Sequence, residues 1–134
     1  MQEIHTDEAP QPAGHYAQAV AHEGLVFVSG QLSIDPDTGT PISGTIEEHT
    51  QRALDNVLAI LRAAGSDRCL VLKTTVYVSD IGLWPRVNAA YQRFFGEHRP
   101  ARAVVATRDL HYGCPVEIEA VAALPEPDEG VPHG

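Results

Sequence analysis

Arg102 and Glu117 carry the most chemistry in this sequence. Arg102 opens an apolar run at 102–106 (RAVVA), and Glu117 sits inside a second run at 116–122 (VEIEAVA). Both runs read as strands, rich in β-branched residues or alternating polar with apolar ones. Paired through the intervening turn, they are expected to aim a guanidinium and a carboxylate at one small cavity. A guanidinium grips a planar carboxylate with two parallel N–H donors, and a nearby glutamate handles a proton or a water. That equipment suffices to hold a small organic acid and hydrolyse it with no cofactor.

Taken singly, the candidates also have ordinary readings. Arg102 fits a surface charge at a strand start. Alternation places Glu117 and Glu119 on one face of their strand and Val116, Ile118 and Ala120 on the other, and taken alone this suits a solvated outer face better than a site. Gly30, after Ser29, permits close backbone approach to a ligand or simply a bulge. Tyr16 at a strand start fits a core aromatic, and Asn88 has no spacing argument of its own. The seven histidines are scattered, with no His-x-His, no His-Glu-x-x-His and no Cys-x-x-Cys, so no metal site is expected. Neither a phosphate-binding glycine loop nor a Gly-x-Ser-x-Gly elbow occurs.

The elements that must position these residues follow from periodicity. Residues 16–22 and 25–29 read as short strands around a turn at 22–24, and 35–39 (DPDTG) as a loop. Thr45 and Glu48 form a capping box ahead of an apolar stripe that includes Ile46, Leu54, Val57 and Leu61, ended by Gly65. Residues 70–78 read as a strand. A second amphipathic helix covers 83–95, with Pro85 tolerated in its first turn. Strands at 101–106 and 115–122 complete the order β-β-α-β-α-β-β. Strand pairs with helices between them predict an α+β fold, two helices on one face of a mixed sheet.

At 134 residues the chain fits one domain, with a core over about 9–122, an N-terminal dozen running over the surface and a flexible tail at 125–134. The net charge of −9 disfavours nucleic acid, whose affinity rests on Lys and Arg. Two cysteines, Cys69 and Cys114, give no disulfide framework. No leader segment and no membrane-length apolar run is visible, so a cytoplasmic protein is expected.

The ordered series is more specific than any member. It runs through Gly14 and Tyr16; Val28, Ser29, Gly30 and Gln31; the DPDTG loop; Asn56; Lys73 to Val76; Asn88 and Tyr91; Pro100 and Arg102; and Glu117 with Glu119. This series, from about Ala9 to Ala122, resembles the RidA/YjgF family of enamine/imine deaminases. The resemblance implies a chorismate mutase-like fold and a homotrimer around a central barrel, with sites between subunits. It implies substrates that are 2-imino or 2-enamino acids of the 2-aminoacrylate type, hydrolysed to 2-keto acids and ammonia without a cofactor. Arg102 matches the carboxylate-binding arginine and Glu117 the water-activating acid. Tyr16, Ser29, Gly30 and Asn88 match pocket residues, and Val104 stands where the family often has cysteine. The loop His111, Tyr112, Gly113, Cys114 departs from the usual short turn beside the expected site. A pathway-specific enzyme for a larger imine or enamine, or a non-catalytic metabolite-binding or chaperone-like trimer, are the alternatives.

Overall fold

Thr45 begins the first helix as its capping pattern requires. Its hydroxyl accepts from the Glu48 N–H at 3.2 Å, while Glu48 Oε1 accepts from the Thr45 N–H at 3.1 Å. The box opens α1 (Ile46–Ala63), which buries a stripe including Ala53, Leu54, Val57, Ile60 and Leu61. The second helix, α2 (Trp84–Phe95), holds Pro85 in its first turn, where the missing N–H has no helical partner to lose, and buries Val87, Ala90, Tyr91, Phe94 and Phe95. The structure, a computed structural model, describes residues 1–126; the tail expected at 125–134 therefore lies, beyond Glu126, outside the described residues.

The strands are β1 (Gln2–Ile4), β2 (Ala19–His22), β3 (Leu25–Leu32), β4 (Ile34–Asp35), β5 (Thr40–Pro41), β6 (Val71–Val78), β7 (Ala101–Ala106) and β8 (Val116–Ala123). Six of them form one mixed sheet in the order β1-β2-β3-β8-β6-β7, and β4 and β5 form a separate two-stranded ribbon. Both helices pack on one face of the six-stranded sheet, the expected α+β arrangement. Among its described residues the chain has no helix long and apolar enough to cross a membrane.

Two expectations need correction. The strands bearing Arg102 and Glu117 do not pair with each other. Instead β7 runs parallel to β6, with Arg102 opposite Thr74, and β8 lies antiparallel between β3 and β6. The reason is α2: a parallel pair needs a crossover, and a helix between β6 and β7 supplies it, leaving β7 at the sheet edge. The N-terminal dozen is not all surface coil, because β1 pairs with β2 and buries Ile4, and Ala9 is buried too. The turn at 35–39 closes the β4–β5 ribbon, with the Asp37 N–H donating to Asp35 Oδ1 at 2.8 Å.

A buried amide ties α1 to the loop beyond β3. Asn56 is fully buried; its Nδ2 donates to the carbonyls of Leu32 at 3.1 Å and Ile34 at 2.9 Å, and its Oδ1 accepts from Arg52 Nη2 at 2.9 Å. Replacing Asn56 by Ala leaves two carbonyls without their donor. The expected loss is about 1–3 kcal/mol in denaturant unfolding, with faster amide exchange over 32–42 than elsewhere in the sheet.

Candidate active site

The alternation of β8 divides its residues between two environments. Val116, Ile118, Ala120 and Ala122 are buried beneath the helices, while Glu117 and Glu119 emerge half-buried on the opposite face. Glu117 lies across from Tyr77 on β6 and Leu32 on β3. Between Val28 and Gln31, β3 carries one residue more than β8, since Val28 pairs with Ala120 and Gln31 with Ile118. This bulge at Ser29 and Gly30 is held by the Ser29 N–H donating to Gln18 O at 2.9 Å and Ser29 Oγ donating to Ala17 O at 2.7 Å. A Cβ on Gly30 would stand 3.0 Å from Glu117 Cδ. Glycine is thus what lets the carboxylate lie against the bulged strand.

The carboxyl of Glu117 titrates above the ordinary glutamate value of 4.5. Burial is the main cause; the nearby His111 pulls the other way, and the neighbouring Glu119 charge adds a smaller upward push. Glu119 is itself held, accepting from the Tyr77 hydroxyl at 2.8 Å, a bond that pushes the tyrosine pKa up. The carboxylates form the floor of a cleft of about 790 Å³. One wall is the segment from Pro10 to Tyr16, a second runs from Leu32 to Gly39, and His111 and Tyr112 stand at a third side. Gln18 secures the first wall from inside. Almost wholly buried, it accepts from the Thr6 N–H at 2.7 Å and donates to the carbonyls of Thr6 at 3.0 Å and Pro10 at 2.9 Å.

Tyr16, Ser29, Gly30 and Glu117 therefore meet in one cleft, whereas Arg102, Asn88 and Val104 do not line it. Arg102 lies on the helix side of β7. Its guanidinium stacks 4.5 Å from the Trp84 ring and 4.9 Å from the Tyr91 ring, and Nη1 donates to Asn88 Oδ1 at 2.9 Å. Val104, on the same side, packs against the core. The arginine remains exposed, so a fork fixed by two aromatic faces and one amide keeps donors available to an anion. Within one chain the cation and the carboxylate occupy opposite faces of the sheet. The cleft also contains Gln18, Gln31, Glu119, His111 and Tyr112. Glu119 was readable from alternation and the loop from its unusual sequence, whereas the inward amides of Gln18 and Gln31 carry no local signal. Among the described residues no group of three or more His, Cys, Asp or Glu could hold a metal ion.

The sequence profile of the family described as Endoribonuclease L-PSP matches residues 6–124. The human 2-iminobutanoate/2-iminopropanoate deaminase is 42% identical over 119 residues, spanning 89% of this chain and 87% of that one. The crystal structure of the YjgF gene product of E. coli superposes with a TM-score of 0.87 at 37% identity, covering 92% of this chain and 98% of that one. E. coli TdcF with bound serine superposes with a TM-score of 0.89 at 34% identity, covering 93% and 100%.

A carbon-detected NMR titration reads the cleft directly. The Glu117 carboxyl should titrate above 4.5 in the native protein. Glu119→Gln should move the midpoint down by removing a like charge, and Gly30→Ala should move it down by pushing the carboxylate toward water. Because only the far end of a flexible side chain must yield, Gly30→Ala should cost about 1 kcal/mol of stability. A midpoint at or below 4.5 in the Arg102→Ala protein, which keeps this cleft but has no guanidinium at that position to bring to it from a second copy, contradicts the assigned burial.

Proposed function

The chain belongs to the Endoribonuclease L-PSP family, the RidA/YjgF family of its sequence resemblance, and on that premise we propose that it is a cofactor-independent imine deaminase. The observation that carries this reading is the half-buried Glu117 carboxyl, with its raised pKa, lying over Gly30 in an open cleft. A base titrating nearer neutrality than ordinary glutamate is suited to take a proton from water and return it to a leaving amine. The proposed substrates are 2-imino acids, with 2-enamino acids entering after protonation at C3.

In the proposed reaction, the Arg102 fork binds the substrate carboxylate and fixes the imine carbon toward the Glu117 water. Water oxygen adds to C2 of the protonated imine as Glu117 takes one water proton, giving a neutral carbinolamine. Glu117 returns that proton to nitrogen, and as the C–N bond breaks it takes the carbinolamine hydroxyl proton, so ammonia and a 2-keto acid leave. Imines already hydrolyse in water, so positioning plus one general base, worth roughly 10² to 10⁴-fold, is enough.

Arg102 and Glu117 of one chain sit on opposite sheet faces, so the proposed site joins Arg102, Asn88 and Val104 of one protomer to the Glu117 cleft of another. We place these sites at the interfaces of a homotrimer. Arg102 is suited to this because β7 is an edge strand. The serine in the TdcF structure, which carries a carboxylate and a nitrogen on C2 as the proposed substrates do, supports an amino-acid-derived ligand. A ribonuclease reading has less support: no Lys or Arg lines the cleft, and two glutamates do.

The test generates 2-aminoacrylate or 2-iminobutanoate in situ and follows keto-acid release above the spontaneous rate. Arg102→Ala, Arg102→Lys and Glu117→Gln should each lose about 10²-fold or more in kcat/KM. Reassembling a mixture of the Arg102→Ala and Glu117→Gln proteins should restore part of the activity, since mixed interfaces regain one intact site. Equal rates for the native protein and Arg102→Ala would sink the deaminase reading, and failure of the mixture to recover would sink the shared site.

A further inference from the structure

The loop between β7 and β8 holds an aromatic ring in a conformation its residue type disfavours. Tyr112 has φ 61° and ψ 18° inside the one-turn 3-10 helix His111–Gly113. Glu23 is the other non-glycine residue with positive φ among the described residues. This left-handed region brings Cβ against the backbone, and glycine or asparagine normally fills it. The turn is nevertheless well fixed: the Gly113 N–H donates to Leu110 O at 3.3 Å, the Cys114 N–H donates to His111 O at 3.2 Å, and Cys114 is buried.

What the strained turn accomplishes is the placement of one ring. Tyr112 is 61% exposed and lines the cleft above Glu117. Its hydroxyl makes no hydrogen bond among the described residues, and its ring lies 5.8 Å from that of His111. Tyr16, 52% exposed, lines the same cleft, and Pro10, Ile34 and Pro36 add apolar surface. An L residue kept in this backbone region, with its ring turned to a cleft and away from the core, points to use of the ring. The part of the cleft formed by one chain, about 790 Å³, leaves room for a second protomer's Arg102 and for a ligand larger than a three-carbon acid. Its floor carries two carboxylates, which repel an acidic substituent and leave an apolar one unopposed.

We propose that Tyr112 is a specificity-determining residue that selects 2-imino acids bearing a large apolar, above all aromatic, side chain. The substrate carboxylate points to Arg102, its imine carbon to Glu117, and its ring packs between Tyr112 and Tyr16. Offset and edge-to-face ring contacts supply the preference beyond the area they bury. This rests on the deaminase reading and assigns its substrate class.

The experiment compares imines generated in situ by an amino-acid oxidase from phenylalanine and from alanine. The native protein should favour the phenylalanine imine in kcat/KM. Tyr112→Gly suits the left-handed backbone, so the fold should be kept or stabilised, as its melting temperature will show. It should lower kcat/KM for the phenylalanine imine about tenfold, chiefly through KM, and leave the alanine imine within about twofold. Tyr112→Phe should retain the native preference. A fall of both substrates together, no change in either, or a native preference for the alanine imine overturns the proposal. If no imine is turned over, the deaminase reading fails separately. Calorimetric binding of phenylpyruvate and pyruvate then decides the role of Tyr112: unchanged phenylpyruvate affinity in Tyr112→Gly overturns it, and a selective loss supports it.

Discussion

The two-residue period of β8 is the constraint on which the rest of the molecule turns. Every second residue, from Val116 to Ala122, is driven beneath the helices, and burial of that apolar row fixes the register against both β3 and β6. A slip of one position would exchange Val116, Ile118 and Ala120 for Glu117, Val121 and Glu119 in the core. The same energy that holds the core therefore holds the carboxylates on the cleft side. Of the two departures from regular pairing along β8, the bulge at Ser29 and Gly30 lies where Glu117 needs room, and the other, at Val71 to Lys73 on β6, lies at the far end of the strand. Precision at the cleft floor comes from strands, while the walls are loops, one pinned by Gln18 and another by Asn56.

The arginine is mounted on different principles. It stands at the sheet edge on a strand delivered by the α2 crossover, and α2 then supplies what orients it: the Trp84 and Tyr91 faces and the Asn88 amide. Stacking a guanidinium between flat groups removes much of the rotamer freedom that a long side chain would lose on gripping an anion. The carboxylate and the guanidinium are thus prepared independently, on opposite faces of one sheet. The proposed reaction uses both and therefore requires two copies of the chain to meet, which in that proposal makes assembly part of the site and not only a source of stability.

Much of this was legible in the sequence, and the illegible part has a common cause. Thr45 with Glu48, Pro85, and the alternation around Glu117 are local signals; they placed both helices and five of the strands within a residue or a few of where they occur. Pairing is not local. The runs holding Arg102 and Glu117 look like hairpin partners, and only the position of α2 relative to β6 shows that they are not. Strand β1 is three residues long and polar at two of them, too short to display a period. Gln18 and Gln31 face inward to satisfy backbone groups whose positions exist only in the folded chain. The series of residues resembling a family carried the site further than spacing did, because it encodes those non-local relations without displaying them.

The burial of Glu117 has a consequence for the protein's endurance. Its folded-state pKa lies above that of the unfolded chain. The favourable contribution of the protonated carboxyl is complete below the unfolded value, about 4.3, and is lost as pH rises through the folded one. Near neutrality the ionised group is thus a standing liability to the fold. Mild acid relieves that liability as it protonates the carboxyl that the proposed reaction uses as its base, so at this position durability and the proposed reactivity run in opposite directions along the pH axis.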